Sequence, residues 1–364
     1  MKIAFYSPIK PPDHPVPSGD RLMARLLIKA LQLGGAGVEV ISALRSFRKE
    51  PPEGEPSTLI EDARAEIARI AEDWQRGGAP DLLFTYHPYY KAPDLIGPEL
   101  ARRFAMPYLT VEASYSRRRN DSGWRAMQDF VALSVEAAAV NISMTERDRE
   151  GLGNNFPGLR SALLPPFLDV GPFTILSPRP VTGRLITVAM MRAGDKFDSF
   201  QMLVEALCLI GDTDWTLSII GDGSARAEVE ALFGRVDPRR VNWLGQLDEE
   251  DIAAHLAEAS VYVWPGCGEA YGLAYLEAQA AGLPVVAQAI AGVPAVVVDG
   301  HTGLLTPAAD VPAFADAIRR MLVDGAMRRR LAHGARNFVE GERSLPAASR
   351  RLMEIIREFT GLTA

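Results

Sequence analysis

The chain has little cysteine, no long apolar run and no excess of positive charge, and each of these shortages excludes a class of protein. Cys208 and Cys267 are its only 2 cysteines, too few for a disulfide framework or a cysteine-ligated zinc site. No apolar run approaches the roughly 18 residues that a membrane span needs. Residues 1–6 form too short an apolar segment for a signal peptide, so we expect a buried first strand and a cytoplasmic protein.

The charge balance argues against nucleic acid as the main partner. The formal net charge is −7 and the sequence pI is about 5.4, whereas nucleic-acid binders usually carry a basic face that neutralises phosphates. With 48% hydrophobic and 23% charged residues the composition is that of a globular protein, which excludes a disordered or fibrous chain. A length of 364 residues favours two domains.

Short apolar runs alternate with amphipathic helical patterns along the whole chain. Continuous apolar strands separated by helices are typical of parallel sheets covered on both faces, so the sequence predicts an α/β, doubly wound architecture. The predicted strands are residues 2–6, 38–42, 81–86, 107–111, 140–143, 185–191, 215–220, 241–244, 261–264 and 284–287. The predicted helices are residues 21–33, 59–75 and 124–138, with further helices starting near Phe197, Ala225, Glu249 and Gly272.

A proline-rich stretch interrupts this alternation and predicts a domain boundary. Residues 164–180 contain five prolines and no clear periodicity, as expected of an extended connector. We therefore expect an N-terminal domain over residues 1–170, a linker over 171–183 and a C-terminal domain over 184–345. The final helical pattern, within residues 346–364, is expected to pack back on the first domain, and residues 8–17 are expected to form a surface loop.

Glycines and charged side chains follow the predicted strands, where open parallel sheets bind their ligands. We therefore expect a site in a cleft between the two domains. The candidates after the strands are Gly19, His87, Glu112, Arg192, Lys196, Gly221, Gly223, Gly245, Gln246 and Leu247.

The segment 268–284 carries the strongest signal. A helix starting near Gly272 would present free amides to an anion, which such a helix end stabilises by about 0.3–2 kcal/mol. Glu269 and Glu277 flank that helix start, where carboxylates would repel a lone phosphate but could accept hydrogen bonds from sugar hydroxyls. Arg192 and Lys196 supply the positive charge that a diphosphate requires.

These residues resemble the E-x7-E motif of retaining glycosyltransferases of family 4, the glycosyl transferases group 1. Glu269 and Glu277 stand at the motif spacing, followed by Gly282-Leu283-Pro284-Val285. The likeness continues through Gly221-Asp222-Gly223, Leu244-Gly245 and the run from Asp299 to Leu305, and it covers nearly the whole C-terminal half. The resemblance implies the GT-B fold, two Rossmann-like domains, and a nucleotide-sugar donor used without a metal or other cofactor.

The resemblance also implies a role for each matching residue. Glu277 would hold the ribose hydroxyls and Glu269 the transferred sugar, while the amides near Gly272 and Leu273 would bind the phosphates. Arg192 and Lys196 match the basic pair at the diphosphate, residues 245–247 would lie near the base, and Gly19 matches the loop that closes over the donor. Tyr271 is a further donor-site candidate, which would stack on a sugar or the base or simply pack.

The chain also departs from the family pattern. Lys196 follows Arg192 by only four residues, a single glycine stands in the Ser18-Gly19-Asp20 loop, and Glu112 stands where many members have histidine. These departures concern the acceptor and the catalytic details more than the donor site.

The sequence predicts a metal-independent hexosyltransferase that uses a UDP- or GDP-sugar, with retention implied by the resemblance. A GT-B nucleotide-sugar epimerase and a non-catalytic partner subunit are the alternatives. His87 and Glu112 are either catalytic or structural, and the acceptor is a saccharide, a lipid-linked saccharide or a small molecule. The run from Arg117 to Arg119 either solvates an exposed face or contacts an anionic acceptor or a membrane surface.

Overall fold

The computed structural model describes residues 1–16 and 18–363 and divides the chain into two compact units. The first unit comprises Met1–Pro165 and Leu345–Ala364, and the second comprises Pro166–Ser344. Pro17, the end of the expected loop 8–17, and Ala364, the end of the expected segment 346–364, lie outside the described residues. None of the described helices combines the length and the apolar character needed to cross a bilayer.

The first unit is built on a six-stranded parallel sheet with the strand order β2-β1-β3-β4-β5-β6. The strands are β1 (Lys2–Tyr6), β2 (Gly37–Val40), β3 (Leu82–Tyr86), β4 (Tyr108–Val111), β5 (Val140–Ser143) and β6 (Ser161–Leu163). The helices between them are α1 (Gly19–Leu33), α2 (Ser57–Gly77), α3 (Gly97–Phe104), α4 (Arg125–Ala137) and α5 (Glu146–Asn155). Every residue of β3 is buried, as its position inside a sheet covered on both faces requires.

The second unit contains a second six-stranded parallel sheet, with the order β12-β11-β10-β7-β8-β9. Its strands are β7 (Arg184–Val188), β8 (Thr216–Ile220), β9 (Val241–Gly245), β10 (Val261–Val263), β11 (Val285–Gln288) and β12 (Gly303–Thr306). Its helices are α6 (Gly171–Thr174), α7 (Asp195–Leu209), α8 (Arg226–Leu232), α9 (Glu249–Glu258), α10 (Leu273–Ala280), α11 (Val311–Val323) and α12 (Gly325–Glu342). The two doubly wound parallel sheets predicted from the sequence are thus present.

The last helix, α13 (Leu345–Thr360), belongs to the first unit. It packs on α1, where the Ser349 hydroxyl donates to the Ala30 carbonyl at 2.7 Å and Leu352 is fully buried. The Arg351 Nε atom donates to the carbonyl of Leu163 in β6 at 3.2 Å. Helix α13 therefore covers part of the first unit although its sequence follows the second.

The proline-rich stretch behaves differently from the expected linker. The first unit ends at Pro165 instead of 170, and residues 171–183 belong to the second unit. Phe167 and Phe173 are buried there, and the amide of Arg179 donates to the carbonyl of Ala257 at 2.7 Å. The five prolines favour an extended segment, but burial of the two aromatic rings stabilises its packing on the second unit. Helix α6 forms within the segment.

Each sheet has one position where the order of the strands reverses. In the first sheet the chain leaves β1 for β2 and then returns to β3 on the other side of β1. In the second sheet it leaves β7 for β8 and β9 and returns to β10 on the other side of β7. Ligands of open parallel sheets bind at such switch points, at the carboxyl ends of the strands. The β1/β3 and β7/β10 positions are therefore where the functional residues of each unit are to be sought.

Candidate functional site

At the switch point of the second unit, a lysine from α7 meets a glutamate from the loop before α10. The Lys196 Nζ atom donates to Glu269 Oε1, and the Trp264 indole N–H donates to the same oxygen at 3.1 Å. The ammonium group also lies 5.5 Å from the centre of the Trp264 ring. The side chains of Lys196 and Glu269 are only 19% and 14% exposed. The carboxylate is therefore held in one orientation by two donors, in surroundings that strengthen their electrostatic interaction.

The loop that carries Glu269 lies against the start of α7. The amide of Cys267 donates to the Ser199 hydroxyl at 2.9 Å, and that hydroxyl donates to the Asp195 carbonyl at 2.7 Å. These bonds tie the segment after β10 to the segment after β7, although the two are far apart in the sequence. The Lys196–Glu269 contact thus rests on a hydrogen-bonded backbone framework.

Helix α10 starts next to this pair. Gly272 is its N-cap residue, so the amides of Leu273 and Ala274 in the first turn have no acceptor inside the helix. Glu277 lies one turn further along α10, with a partly exposed side chain. Burial, with a smaller contribution from the charge of Glu249, raises the pKa of Glu277 to about 7. No hydrogen bond to its carboxylate is formed by any residue within 1–16 and 18–363.

Backbone hydrogen bonds connect the loops after β7, β8 and β9. The amide of Met191 donates to the Asp222 carbonyl at 2.9 Å, and the amide of Gly221 donates to the Gly245 carbonyl at 2.7 Å. Gly223, at φ +155°, brings its backbone so close to the Met191 carbonyl that a Cβ atom would overlap it. The contact between these two loops therefore accounts for glycine at position 223.

The remaining donor-site candidates differ in exposure. Arg192 and Gln246 are exposed after β7 and β9, and Gly245 is the last residue of β9. Lys196 lies in the first turn of α7, which begins at Asp195, two residues before the expected helix start near Phe197. Three candidates pack partly against the apolar core of the second unit, which leaves less of each side chain for a ligand: Leu247, Tyr271 and Leu273.

At the switch point of the first unit, an aspartate from α1 meets a histidine after β3. The Nδ1 atom of His87 lies 3.1 Å from Asp20 Oδ1, and the two side chains are 26% and 35% exposed. Burial disfavours the charged imidazole, but the hydrogen bond to Asp20 and the nearby charge of Glu112 outweigh it and raise the pKa of His87. Burial likewise opposes ionisation of Asp20, yet the contact with His87 lowers the pKa of that carboxyl.

Two candidates of the first unit have a left-handed backbone. His87 has φ 61° and Glu112 has φ 55°, and each directly follows a strand, β3 or β4. For residues other than glycine such a conformation costs about 1–3 kcal/mol and is frequent at functional sites. Gly19, expected in a loop, is instead the first residue of α1, after the N-cap Ser18.

Sequence reasoning did not find Asp20 as the partner of His87. The two are 67 residues apart, and nothing local in the sequence connects them. Only their positions relative to the strands could have predicted the contact, since Asp20 lies in the first turn of the helix after β1 and His87 follows β3. The order of the strands, which brings β1 beside β3, was needed to use it.

Sequence comparison shows that most of the second unit is similar to a known family. The model of the glycosyl transferases group 1 matches residues 182–324, most of that unit. The D-inositol 3-phosphate glycosyltransferase of Streptomyces avermitilis is 36% identical over 308 residues, covering 74% of this chain and 64% of that protein. The chain thus spans slightly less than two thirds of the length of this relative.

Two solved structures share the fold of nearly the whole chain. The sucrose-phosphate synthase of Thermosynechococcus elongatus matches with a TM-score of 0.76 at 22% identity, covering 99% of both chains. HepE of Anabaena, crystallised with UDP, matches with a TM-score of 0.74 at 16% identity, covering 98% of this chain and 100% of that one. The predicted fold class is confirmed: the chain has the GT-B fold, and residues 182–324 are similar to the group 1 glycosyltransferases.

Proposed function

We propose that this protein transfers a hexose from a UDP- or GDP-sugar to an acceptor hydroxyl, without a metal ion and with retention of configuration. The observation that carries the proposal is the Lys196–Glu269 pair beside the start of α10, at the switch point of the second sheet. The match of residues 182–324 to the group 1 glycosyltransferases supports glycosyl transfer, and HepE, crystallised with UDP, supports a uridine nucleotide as the first donor to test.

The diphosphate of the donor would bind between Lys196 and the first turn of α10. Lys196 offers a positive charge, and the amides of Leu273 and Ala274 offer donors at the positive end of the helix dipole. The leaving diphosphate gains negative charge as the sugar departs. Fixed donors aimed at that charge stabilise the transition state, and removing one donor typically slows a reaction 100- to 1000-fold.

Donor binding would exchange the partners of Lys196. In the structure Lys196 donates to Glu269, and a diphosphate would compete for the same ammonium group. Glu269, then held by the Trp264 indole alone, could accept hydrogen bonds from hydroxyls of the transferred sugar. The exchange leaves each charged group with hydrogen-bond partners, because a charge without them in a partly buried site would be costly.

Glu277 would hold the ribose of the nucleotide. Its carboxylate has no hydrogen-bond donor among the described residues, although burial opposes its ionisation and raises its pKa to about 7. Two ribose hydroxyls would supply the missing hydrogen bonds and favour the ionised form. In the first unit, Asp20 would fix the orientation of His87 through Nδ1, which leaves Nε2 for a hydroxyl on the acceptor side.

A thermal-shift assay with UDP, GDP and ADP tests the donor site, with Glu277→Ala as the variant. A nucleotide at 100 times its Kd stabilises the wild type by about 2.7 kcal/mol, which raises Tm by a few degrees. We expect one nucleotide to stabilise the wild type and to have a much smaller effect on Glu277→Ala.

Turnover assays with the matching nucleotide sugars then identify the reaction. Transfer or slow hydrolysis supports a transferase, whereas an isomerised donor supports an epimerase. If no nucleotide stabilises the wild type, the proposed donor site is wrong and a non-catalytic partner subunit is favoured.

A further inference from the structure

A row of aromatic rings extends from His87 along one part of the first unit. The His87 and Tyr89 rings are 5.0 Å apart, the Tyr89 and Tyr90 rings 5.4 Å, and the Tyr90 and Trp124 rings 5.0 Å. Trp124 is buried, while Tyr89 and Tyr90 are partly exposed. The row therefore connects the switch-point histidine with rings on which a sugar can stack.

Cations lie over the outer rings of this row. The Arg119 guanidinium is 4.3 Å from the centre of the Tyr90 ring, and Lys91 Nζ is 5.9 Å from the same ring and 5.8 Å from Trp124. Arg119 belongs to the run Arg117–Arg119, a single 3-10 turn after β4. We call Tyr89, Tyr90, Lys91, Arg119 and Trp124 the basic aromatic cluster.

The cations of the cluster have no carboxylate partner. In the part of the chain that the structure describes, neither Lys91 nor any residue of Arg117–Arg119 forms an ion pair. Elsewhere in the same unit some exposed arginines are paired, such as Arg69 with Glu66, and others, such as Arg64 and Arg125, form no ion pair among the described residues. In a chain with net charge −7, cations that lie over aromatic rings and have no carboxylate partner form a local positive group that favours an anionic ligand.

The backbone fixes the segments that carry the cluster. The amide of Ser114 donates to the carbonyl of Pro88 at 3.1 Å, and the Gln128 side chain donates to the carbonyl of Ser116 at 2.8 Å. The amide of Arg48 donates to the Lys91 carbonyl at 2.8 Å, which attaches a further basic loop. The backbone that carries the rings and the cations is thus held before a ligand arrives, which lowers the entropy cost of binding.

Acidic groups lie at the other end of the row. Asp20 bonds to His87, and the charge of Glu112 acts on the same imidazole. At the cationic end, Asp121 follows Arg119 by two positions but is exposed and forms no ion pair among the described residues. An anion would therefore bind at the outer end, near Arg119 and Lys91, with its hydroxyl-bearing part directed toward His87.

We propose that the basic aromatic cluster binds a phosphate or carboxylate group of the acceptor, whose sugar or cyclitol ring stacks on Tyr90. The inference rests on the proposed glycosyl transfer and assigns the acceptor to the class of small anionic polyols. A guanidinium binds phosphate and carboxylate in a bidentate manner, and the Tyr90 ring keeps that of Arg119 in place.

Titration calorimetry with matched probes tests the proposal directly, without turnover. The pairs are D-inositol 3-phosphate against inositol, glucose 6-phosphate against glucose, and glucuronate against glucose, at constant ionic strength and in the presence of UDP. For the wild type we expect at least one anionic probe to bind tenfold or more tightly than its neutral partner. Arg119→Gln and Lys91→Gln should each weaken that binding tenfold or more and change the neutral probe less than threefold.

Arg102→Gln is the matched control, since it removes an exposed arginine of the same unit that is paired with Glu99. It should leave the affinity for every probe within twofold. Circular dichroism and the UDP-induced thermal shift of each variant show whether the fold and the donor site are intact. If the wild type binds UDP but binds no anionic probe more tightly than its neutral partner, the anionic-acceptor inference is wrong and the proposed donor site is unaffected. Absence of any UDP effect, with the anionic preference present, contradicts only the proposed donor site.

A membrane surface is the competing source of anionic groups. Vesicles with and without phosphatidylserine separate the two, because a lipid-binding cluster responds to the charged vesicle and not to the soluble probes. If Arg119→Gln releases the protein from charged vesicles while all soluble probes bind weakly and alike, the acceptor assignment is wrong. Preference for a soluble anionic probe, with no vesicle binding, supports it.

Discussion

At the scale of single residues, each unit places one acid–base pair at the switch point of its sheet. Asp20 and His87 meet where β1 adjoins β3, and Lys196 and Glu269 meet where β7 adjoins β10. The strand order produces this arrangement, since helices that leave adjacent strands toward opposite faces open a crevice between them. These four side chains are therefore the first positions for mutagenesis.

Lys196→Ala is expected to lower kcat for transfer by about 100- to 1000-fold, because the diphosphate loses a fixed positive charge. The substitution also leaves Glu269 without its cation, so a thermal melt must accompany the kinetics. Arg239→Ala, which removes an exposed arginine paired with Asp237 in the same unit, should stay within threefold of the wild type. A decrease below threefold for Lys196→Ala in a folded protein would contradict its role.

Glu277→Gln is expected to change the pH dependence of stability. The pKa of Glu277 is about 7 in the fold against an ordinary value of 4.5, so ionisation between these values destabilises the wild type as the pH rises. The neutral glutamine has no such dependence. The Tm of the variant minus that of the wild type should therefore increase from pH 5 to pH 8, by on the order of a few degrees. Solvent around the partly exposed side chain of Glu277 screens its charge and reduces this difference.

The Glu277 carboxylate also predicts a pH dependence of UDP affinity, opposite in sign to that of stability. Hydroxyl donors favour the ionised form of Glu277, so UDP affinity in the wild type should rise as the pH increases through about 7. Titration calorimetry at pH 6 and pH 8 measures this, with Glu277→Gln as the variant that should show weaker binding and a flatter profile. Equal pH profiles for the two proteins would refute the ribose assignment.

At the scale of elements, the loop between β10 and α10 decides where Glu269 lies. Cys267 is bonded to Ser199 in α7, and Gly272 caps α10, so both ends of the loop are fixed. Gly268 lies between them at φ +68°, and a Cβ atom there would overlap the Asp195 carboxylate. A short loop held at both ends cannot relax a local change without moving Glu269.

Gly268→Ala is therefore expected to destabilise the fold by about 1–3 kcal/mol and to reduce UDP binding. Urea unfolding and a UDP thermal shift measure the two effects. Gly151→Ala is the matched control, because Gly151 lies in the interior of α5, where a new Cβ would meet no atom from outside the helix within 4 Å. That change should stabilise the protein by about 0.5–1 kcal/mol. The loop argument fails if both alanines have the same effect.

At the scale of the whole molecule, the chain forms two units whose boundaries do not follow the sequence order. Helix α13 comes after the second unit and packs on α1 of the first, burying Leu352, Ile355 and Ile356. The first unit therefore includes a helix that follows the second unit in the sequence. Its stability should depend on a helix more than 150 residues distant from the rest of the unit.

Leu352→Ala tests this dependence. Removing a fully buried leucine is expected to cost about 2–5 kcal/mol, which lowers the unfolding midpoint of the first unit. Glu358→Ala, at an exposed position on the same helix, should change stability by less than about 0.5 kcal/mol. Hydrogen exchange resolves which unit is affected, and equal loss of protection in both units would contradict the assignment of α13 to the first.

The sequence by itself predicted the local elements well, because burial on both sheet faces leaves a continuous apolar run. Strands β1 and β5 have the predicted bounds, and eight others are matched within a few residues. The two missed strands, Ser161–Leu163 and Gly303–Thr306, are short and lie at the edges of their sheets. Such short segments carry too little pattern to be distinguished from a loop. The E-x7-E motif, a local pattern, likewise indicated the family.

Only the tertiary structure decided which side chains meet. Lys196 and Glu269 are 73 residues apart and Asp20 and His87 are 67 apart, so their pairing depends on which strands are neighbours. The packing of α13 on α1 and the folding of residues 171–183 into the second unit have the same origin. Local sequence encodes which face of an element is buried, whereas the partner on that face is selected by the free energy of the whole packed arrangement.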